Sequence, residues 1–427
     1  MIVLLFVLMF AFMALGLEIY ISMGAASMIY LLVATDTPLN LLTSTMVKEI
    51  DSYTLLAIPF FILAGELMNR SGMTLRLVEF SKFFIGKLKG GLAYSAVGVN
   101  IFSAGVSGSA PADCSAVSSV MLPAMKKDGY KEGFSASINA AAATIGPIIP
   151  PSIPMVFLAL ITNLSVGRLF LGGIIPGFLM GAALLVICYV LMKKQDLPVV
   201  DYKRSWKKFM SLFKDTFFAL VAPVIIILGI ITGMVTVTEV AILATAYVLL
   251  IGMFVYRAIS WKDLVHIFAS TGVFASTIMV LFSIVGIFSW IMAGEQVADQ
   301  LAELFLSLHV NAVTFLILVN IFLLFIGMIM DALPAMLIFI PVLLPLALEL
   351  GVDPIHFGVV VVVNLMIGLV TPPVGALLYI VSRIGKIPFH VVGRSIFPFV
   401  LALLAVLLLI TFVPSLVTWI PYSMMGE

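Results

Sequence analysis

Four stretches of polar, glycine-rich or proline-rich chain interrupt long apolar runs, and their residue types suit ion binding. The first runs from Ser103 through Ser107, Gly108 and Ser109 to Asp113, and the second from Ile145 through Gly146 and Pro147 to Pro154. The others are Met330-Asp331-Ala332-Leu333-Pro334 and the run Ile367 to Gly375, which holds Gly368, Thr371, Pro372 and Pro373. Adjacent prolines, Pro150-Pro151 and Pro372-Pro373, remove N–H donors and free carbonyls inside a helix. In hydrocarbon an unsatisfied backbone group costs several kcal/mol, so such chain persists only where protein, water or an ion satisfies it. Freed carbonyls suit Na⁺, and half-helix N-termini at Ser109 and Asp331 favour an anion. The alternative for each break is a proline kink packed by its neighbours. A different chemistry is also spelled out: Gly105-Val106-Ser107-Gly108 matches the pattern of intramembrane serine proteases, in which a histidine on another helix activates the serine. That chemistry does not require paired proline breaks, and each of the four histidines lies near a predicted helix end.

The elements that hold these residues must be membrane helices. The 427 residues are 63% hydrophobic and only 10% charged, with mean hydropathy +1.26, outside the range of a soluble domain. Runs such as 1–20, 177–192, 217–234 and 396–420 approach or exceed the ~20 residues that cross a hydrocarbon core. The first is expected to be a retained helix and not a signal peptide. A net charge of +1 and no basic-aromatic cluster exclude a nucleic-acid face. Cys114, Cys188, His266, His309, His356 and His390 have no metal-ligand spacing, so no disulfide, haem or zinc site is expected.

An internal repeat organises the chain. At an offset of 222 residues, the separation of Gly146 and Gly368, Gly105 falls on Gly327, Pro123 on Pro345 and Gly129 on Gly351. Pro150-Pro151 falls on Pro372-Pro373, and Pro176 on Pro398. About 0.6 such matches would arise by chance. Between 70 and 131 stand Arg70, Arg76, Lys82, Lys87, Lys89, Lys126, Lys127 and Lys131; the equivalent window, 292–353, has no Lys or Arg but carries Glu295, Asp299, Glu303, Glu349 and Asp353. Cytoplasmic flanks are enriched in Lys and Arg, so the copies are expected to be inverted in the membrane. The expected division is a first repeat at 1–192, a basic cytoplasmic linker at 193–215 and a second repeat at 216–427. Basic residues flank the segment about 90–125 at both ends, which favours a re-entrant helical hairpin; two full helices with a tight periplasmic turn are the alternative. Its counterpart is 311–349, and broken helices are expected at about 132–163 and 354–382. The fold class is thus an all-α polytopic membrane protein of two inverted-topology repeats.

At these residues the chain resembles the large membrane subunit of tripartite ATP-independent periplasmic (TRAP) transporters over nearly its full length. The carrying stretches are Ala57-Ile58-Pro59-Phe60-Phe61-Ile62-Leu63-Ala64-Gly65-Glu66, Ser107-Gly108-Ser109-Ala110-Pro111-Ala112-Asp113, Gly146-Pro147-Ile148-Ile149-Pro150-Pro151-Ser152 and Gly368-Leu369-Val370-Thr371-Pro372-Pro373. The resemblance implies a Na⁺-driven secondary transporter of the inner membrane, not an enzyme, with an elevator-type transport domain like that of the ion-transporter superfamily. It implies a small membrane subunit, expected as a separate chain, and a periplasmic substrate-binding protein. The implied substrate is an organic acid, sialic acid favoured; C4-dicarboxylate transport, an uncoupled channel and the protease are the alternatives. One Na⁺ is expected near Ser103, Ser107, Gly108 and Ser109 with carbonyls of Gly146 and Pro147, and a second near Asp331, Ala332, Gly368 and Thr371. Candidates for the substrate cavity are Asn139, Pro150, Ser152, Asn364 and Pro372, the asparagines having helix-to-helix hydrogen bonding as their other reading. Glu18, Glu66 and Glu239 are acids in apolar surroundings and hence candidates for function or for the interface. Arg168, Arg383 and Arg394 are expected to anchor helix ends, and 71–86 to lie as an amphipathic arm in the interface.

Overall fold

The computed structural model describes residues 2–34, 39–85, 90–193, 205–231, 235–297, 300, 303 and 310–426. The link 194–204, Lys87, Lys89, Asp299 and His309 lie outside these residues, as does the side chain of Ser107. Among the described residues every regular element is helical. The first copy holds α1 (Ile2–Ala14), α2 (Ile19–Ala34), α3 (Leu39–Ile50), α4 (Ala57–Arg70), α5 (Met73–Ile85), α6 (Gly91–Ser107), α7 (Ala110–Lys127), α8 (Glu132–Ala143), α9 (Ile153–Thr162) and α10 (Val166–Met192). The second holds α11 (Trp206–Ile231), α12 (Val237–Leu250), α13 (Trp261–Gly294), α14 (Ala312–Ile329), α15 (Ala332–Glu349), α16 (Pro354–Gly368), α17 (Ala376–Gly385), α18 (Phe389–Ser395), α19 (Phe397–Phe412) and α20 (Ser415–Met425).

Helix ends repeat at the same 222-residue spacing. The arm α6 stops at Ser107 and α14 at Ile329; α7 starts at Ala110 and α15 at Ala332; α8 starts at Glu132 and α16 at Pro354. Both unwound stretches carry a cis peptide at their proline pair, Pro150-Pro151 and Pro372-Pro373. Six described helices are long and apolar enough to cross a membrane, or up to eight if each bent pair counts as one span. Apolar residues on their outer faces stay open, among them Phe178, Val186, Leu228, Val273, Ile321 and Leu401, as lipid-facing helices require. The chain is a multi-pass membrane protein.

The copies interleave. The second half of each broken helix packs on the hairpin of the other copy: α9 against α15, and α17 against α7. Around this body α4 packs on α12 and α13, and α5 on α6 and α11. Beside the main core lies a smaller one that includes Leu67, Leu77, Ala222, Val248 and Ile267, beneath the amphipathic arm α5.

Local chemistry explains several helix starts. Thr236 with Glu239 and Ser260 with Asp263 form capping boxes that satisfy orphan N–H groups of α12 and α13. Glu239, a candidate acid from the sequence, is therefore occupied at a helix end: its Oε2 accepts from Thr236 N at 2.7 Å. Glu18 is exposed in the turn before α2. Arg168 lies 5.6 Å from the ring centroid of Tyr422, and Arg383 and Arg394 are exposed in the last turns of α17 and α18.

Candidate functional site

Three helix N-termini converge on one cavity of about 310 Å³. The chain turns from α6 into α7 through Gly108, whose φ is +57° and whose missing Cβ leaves room for the carbonyl oxygen of Pro151, which a methyl group would approach at 2.6 Å. Gly108 O in turn accepts from Ile153 N at 3.4 Å, so the tip of the first hairpin is pinned to the start of α9. Ser152 caps α9: its Oγ accepts from Met155 N at 3.1 Å and donates to Pro147 O. Opposite, the tip between α14 and α15 is closed by Asp331, whose Oδ1 accepts from Ala332 N at 2.6 Å. Ser109, Ala110, Pro111, Ile153, Asp331 and Ala332 thereby bring the starts of α7, α9 and α15 to the cavity wall.

The remaining wall comes from helices outside the hairpins. One face of α4, with Ile62, Gly65, Glu66 and Asn69 at helical spacing, lines it, as do Ser270, Thr271 and Phe274 of α13. Glu66 Oε1 accepts from Arg70 Nε at 3.5 Å, and Asn69 Oδ1 from Thr74 at 2.7 Å. Thr271 is 7% exposed and its hydroxyl has no hydrogen-bond partner among the described residues. Among the described residues lining the cavity none is Lys, Arg or His, whereas Glu66 and Asp331 are acids.

A buried carboxylate stands just behind the first hairpin tip. Asp113, in the first turn of α7, is fully buried, and its Oδ1 accepts from Ser103 Oγ at 2.7 Å. Its other oxygen lies against Gly146 in the unwound stretch, where a Cβ would collide with it. Isolated burial of a carboxylate is costly in a low-dielectric interior. Two of the expected ion residues, Ser103 and Gly146, therefore meet around a third that sequence reading quoted only as the edge of the motif. The second unwound stretch differs. Gly368 packs on the Gly327 backbone, Gly375 N donates to Met328 O at 3.3 Å, and Thr371 Oγ1 donates to Ile367 O at 2.7 Å.

Of the residues expected at ion sites, Gly108, Ser109, Pro147, Asp331 and Ala332 line the cavity, while Ser103, Gly146, Gly368 and Thr371 are buried behind it. The five residues expected to line the substrate cavity, Asn139, Pro150, Ser152, Asn364 and Pro372, do not reach this one. Asn139 donates to Ser135 O at 2.8 Å within α8, and Asn364 donates to the carbonyl and side-chain oxygens of Asn320, both at 2.8 Å. Asn364 thereby ties α16 to α14 inside the protein. The sequence offered no direct signal for Asn69, Ser270 or Thr271, which tertiary packing alone brings to the tips.

The family model for the DctM component of tripartite ATP-independent periplasmic transporters matches residues 6–416. The sialic acid TRAP transporter large permease protein SiaM of Vibrio cholerae is 36% identical over 411 residues, covering 96% of each chain. The C4-dicarboxylate TRAP transporter large permease protein DctM of the same organism is 36% identical over 444 residues, covering 99% of this chain and 98% of that one. The crystal structure of the Alcanivorax borkumensis YdaH transporter shares the fold, with a TM-score of 0.66, 15% identity and 90% of each chain covered.

Proposed function

The chain belongs to the tripartite ATP-independent periplasmic transporter family as its DctM component, a transport protein and not an enzyme, and from that premise we propose Na⁺-coupled uptake of an organic acid across the inner membrane. The observation that carries the coupling is electrostatic: among the described residues the cavity at the hairpin tips is lined by two acids and no base, and only Glu66 has a cation at hand, Arg70 at 3.5 Å behind it. Helix N-termini supply only about half an elementary charge each and favour an anion at short range. A carboxylate substrate entering beside Glu66 and Asp331 therefore needs a cation that travels with it. Ser103, Asp113 and the unwound chain at Gly146 fit a hard cation, because they present a hydroxyl, a buried carboxylate and backbone oxygen, the ligand types such ions take. They would hold Na⁺ there, and Na⁺ would neutralise the carboxylate and draw the first hairpin tip against the unwound strand.

The hairpins and broken helices, packed on one another, form the part that moves as an elevator; α4, α12 and α13 form the fixed wall. A periplasmic substrate-binding protein delivers the acid, and a small membrane subunit braces the fixed part. Sialic acid is the favoured substrate, supported by likeness to SiaM. The equal likeness to a C4-dicarboxylate permease supports a second reading. The test is uptake into proteoliposomes holding the chain with its small subunit and binding protein. Uptake that requires an inward Na⁺ gradient is expected, and uptake indifferent to Na⁺ would exclude the coupled mechanism. Competition between N-acetylneuraminate and succinate on the binding protein then decides the substrate.

A further inference from the structure

The wall of the tip cavity outside the hairpins carries hydrogen-bonding groups for which Na⁺ coupling has no use. On α4, Glu66 and Asn69 stand three residues apart and share a face; both are half-buried and line the cavity. Glu66 Oε1 accepts from Arg70 Nε at 3.5 Å, a long contact that leaves the carboxylate most of its accepting capacity. Asn69 Oδ1 is occupied by Thr74 at 2.7 Å, while its Nδ2 group makes no bond among the described residues and remains a donor. On α13, Ser270 Oγ donates to Ile267 O at 3.0 Å. Thr271 beside it is more than nine-tenths buried, and its hydroxyl has no hydrogen-bond partner among the described residues. A hydroxyl buried without a partner costs free energy, and a solute that bonds to it relieves that cost. Ile62 and Phe274 line the same space and add apolar surface for a carbon skeleton.

Such a wall suits hydroxyl groups better than a second carboxylate. An ionised acid accepts and cannot donate, so it would meet Glu66 as a like charge, with no Lys, Arg or His among the described lining residues to intervene. A solute hydroxyl donates to Glu66 and accepts from Asn69 or Thr271 through one oxygen, and hydrogen bonds to a carboxylate are among the stronger kinds. The helix starts of α7, α9 and α15 at the tips meanwhile suit the carboxylate. We propose that Glu66, Asn69 and Thr271 on the fixed wall determine specificity: they read hydroxyls on a solute whose single carboxylate rests at the tips. Hydroxylated monocarboxylates are thereby accepted, and dicarboxylates without hydroxyls are refused. This assignment of roles rests on the transport reading. A site made to bond a hydroxyl discriminates strongly against an analogue that lacks it, because its polar groups are then left unmatched.

The test is thermal unfolding of the full chain in detergent and sodium chloride, titrated separately with N-acetylneuraminate, gluconate, butyrate and succinate. The first two are expected to raise the unfolding temperature at concentrations where butyrate and succinate do not. Glu66→Gln should raise the half-maximal concentration of the hydroxylated acids about tenfold and, with the like charge removed, admit succinate. Thr271→Val should raise it about fivefold without lowering the unfolding temperature of the solute-free protein, since a methyl group replaces an unmatched buried hydroxyl. A threonine with a merely structural role would show the reverse, lower stability and an unchanged response to solute. Should Glu66→Gln misfold, Thr271→Val carries the test. Equal protection by succinate in the unaltered protein, no protection by either hydroxylated acid, or unchanged half-maximal concentrations in the folded variants overturns the proposal. Uptake into proteoliposomes keeps this failure apart from that of the transport reading: Na⁺-driven uptake alongside any of those results removes the role of the wall alone, whereas uptake indifferent to Na⁺ removes the reading beneath it.

Discussion

The two hairpins share one backbone plan and almost none of its chemistry. In the first, the tip turns on Gly108 in the left-handed region, and Asp113 and Ser103 pair behind it. In the second, the equivalent positions are Met330, Ala335 and Phe325; the tip is extended at Met330 and closed by Asp331 on its own helix start. The copies share where these helices begin and end, whereas the carboxylate at Asp113 has Ala335 as its counterpart. A similar divergence shapes the long spans. Residues 42–70 bend by 57° between α3 and α4, while the equivalent stretch of α13 is continuous. Asp51-Ser52 in the first corresponds to Val273-Phe274 in the second, and Pro59 to Leu281. The reverse holds after the broken helices, where α10 is continuous and its counterpart bends by 46° between α18 and α19.

The contrast between the hairpins can be tested directly. Gly108→Ala should have the largest effect, because it combines a left-handed backbone, costing about 1–2 kcal/mol for an L side chain, with a clash on Pro151 O that a backbone carbonyl cannot relieve cheaply. Loss of folded protein or of all uptake is expected, whereas Met330→Ala at the equivalent tip should leave both largely intact. Next, Asp113→Asn should raise the Na⁺ concentration for half-maximal uptake by about tenfold or more, a charged partner contributing about 1.5–3 kcal/mol. An unshifted Na⁺ titration would remove Asp113 from the ion site. Ser103→Ala should follow in the same assay with a shift of about fivefold, the net worth of one neutral hydrogen bond being about 1 kcal/mol. Thr371→Val, which loses only a bond to Ile367 O within its own stretch, should move the titration less; a larger shift than Ser103→Ala would place the ion at the second break instead. The smallest effect is expected at Thr236→Ala, where loss of the α12 cap should lower thermal stability by about 1 kcal/mol with Na⁺ dependence unchanged.

Helix limits were legible in the sequence because glycine and proline act through the backbone, and backbone constraints survive at a fixed register. The stops at Ser107 and Ile329 and the starts at Ala110 and Ala332 follow from that register without side-chain detail. The site was legible only in part. Gly108, Ser109, Pro147 and Asp331 announce themselves as breaks, but Asp113 meets Gly146 only after the hairpin has folded back on the unwound stretch. Asn69 and Thr271 reach the same cavity from separate helices; nothing local distinguishes them from other polar residues on apolar helices. Asn139 and Asn364 lie away from this cavity, and a polar side chain near a break serves helix packing as readily as a solute.

The exchange of arms between the copies has a consequence for how such a protein can arise and assemble. Since α17 packs on α7 and α9 on α15, either half synthesised alone would lack the hairpin against which the second half of its broken helix is held. An ancestor with a single copy would have had to pair with a second molecule before it could be a stable membrane protein, and gene fusion then made that pairing permanent. Halves expressed from separate genes should accordingly accumulate only when produced together.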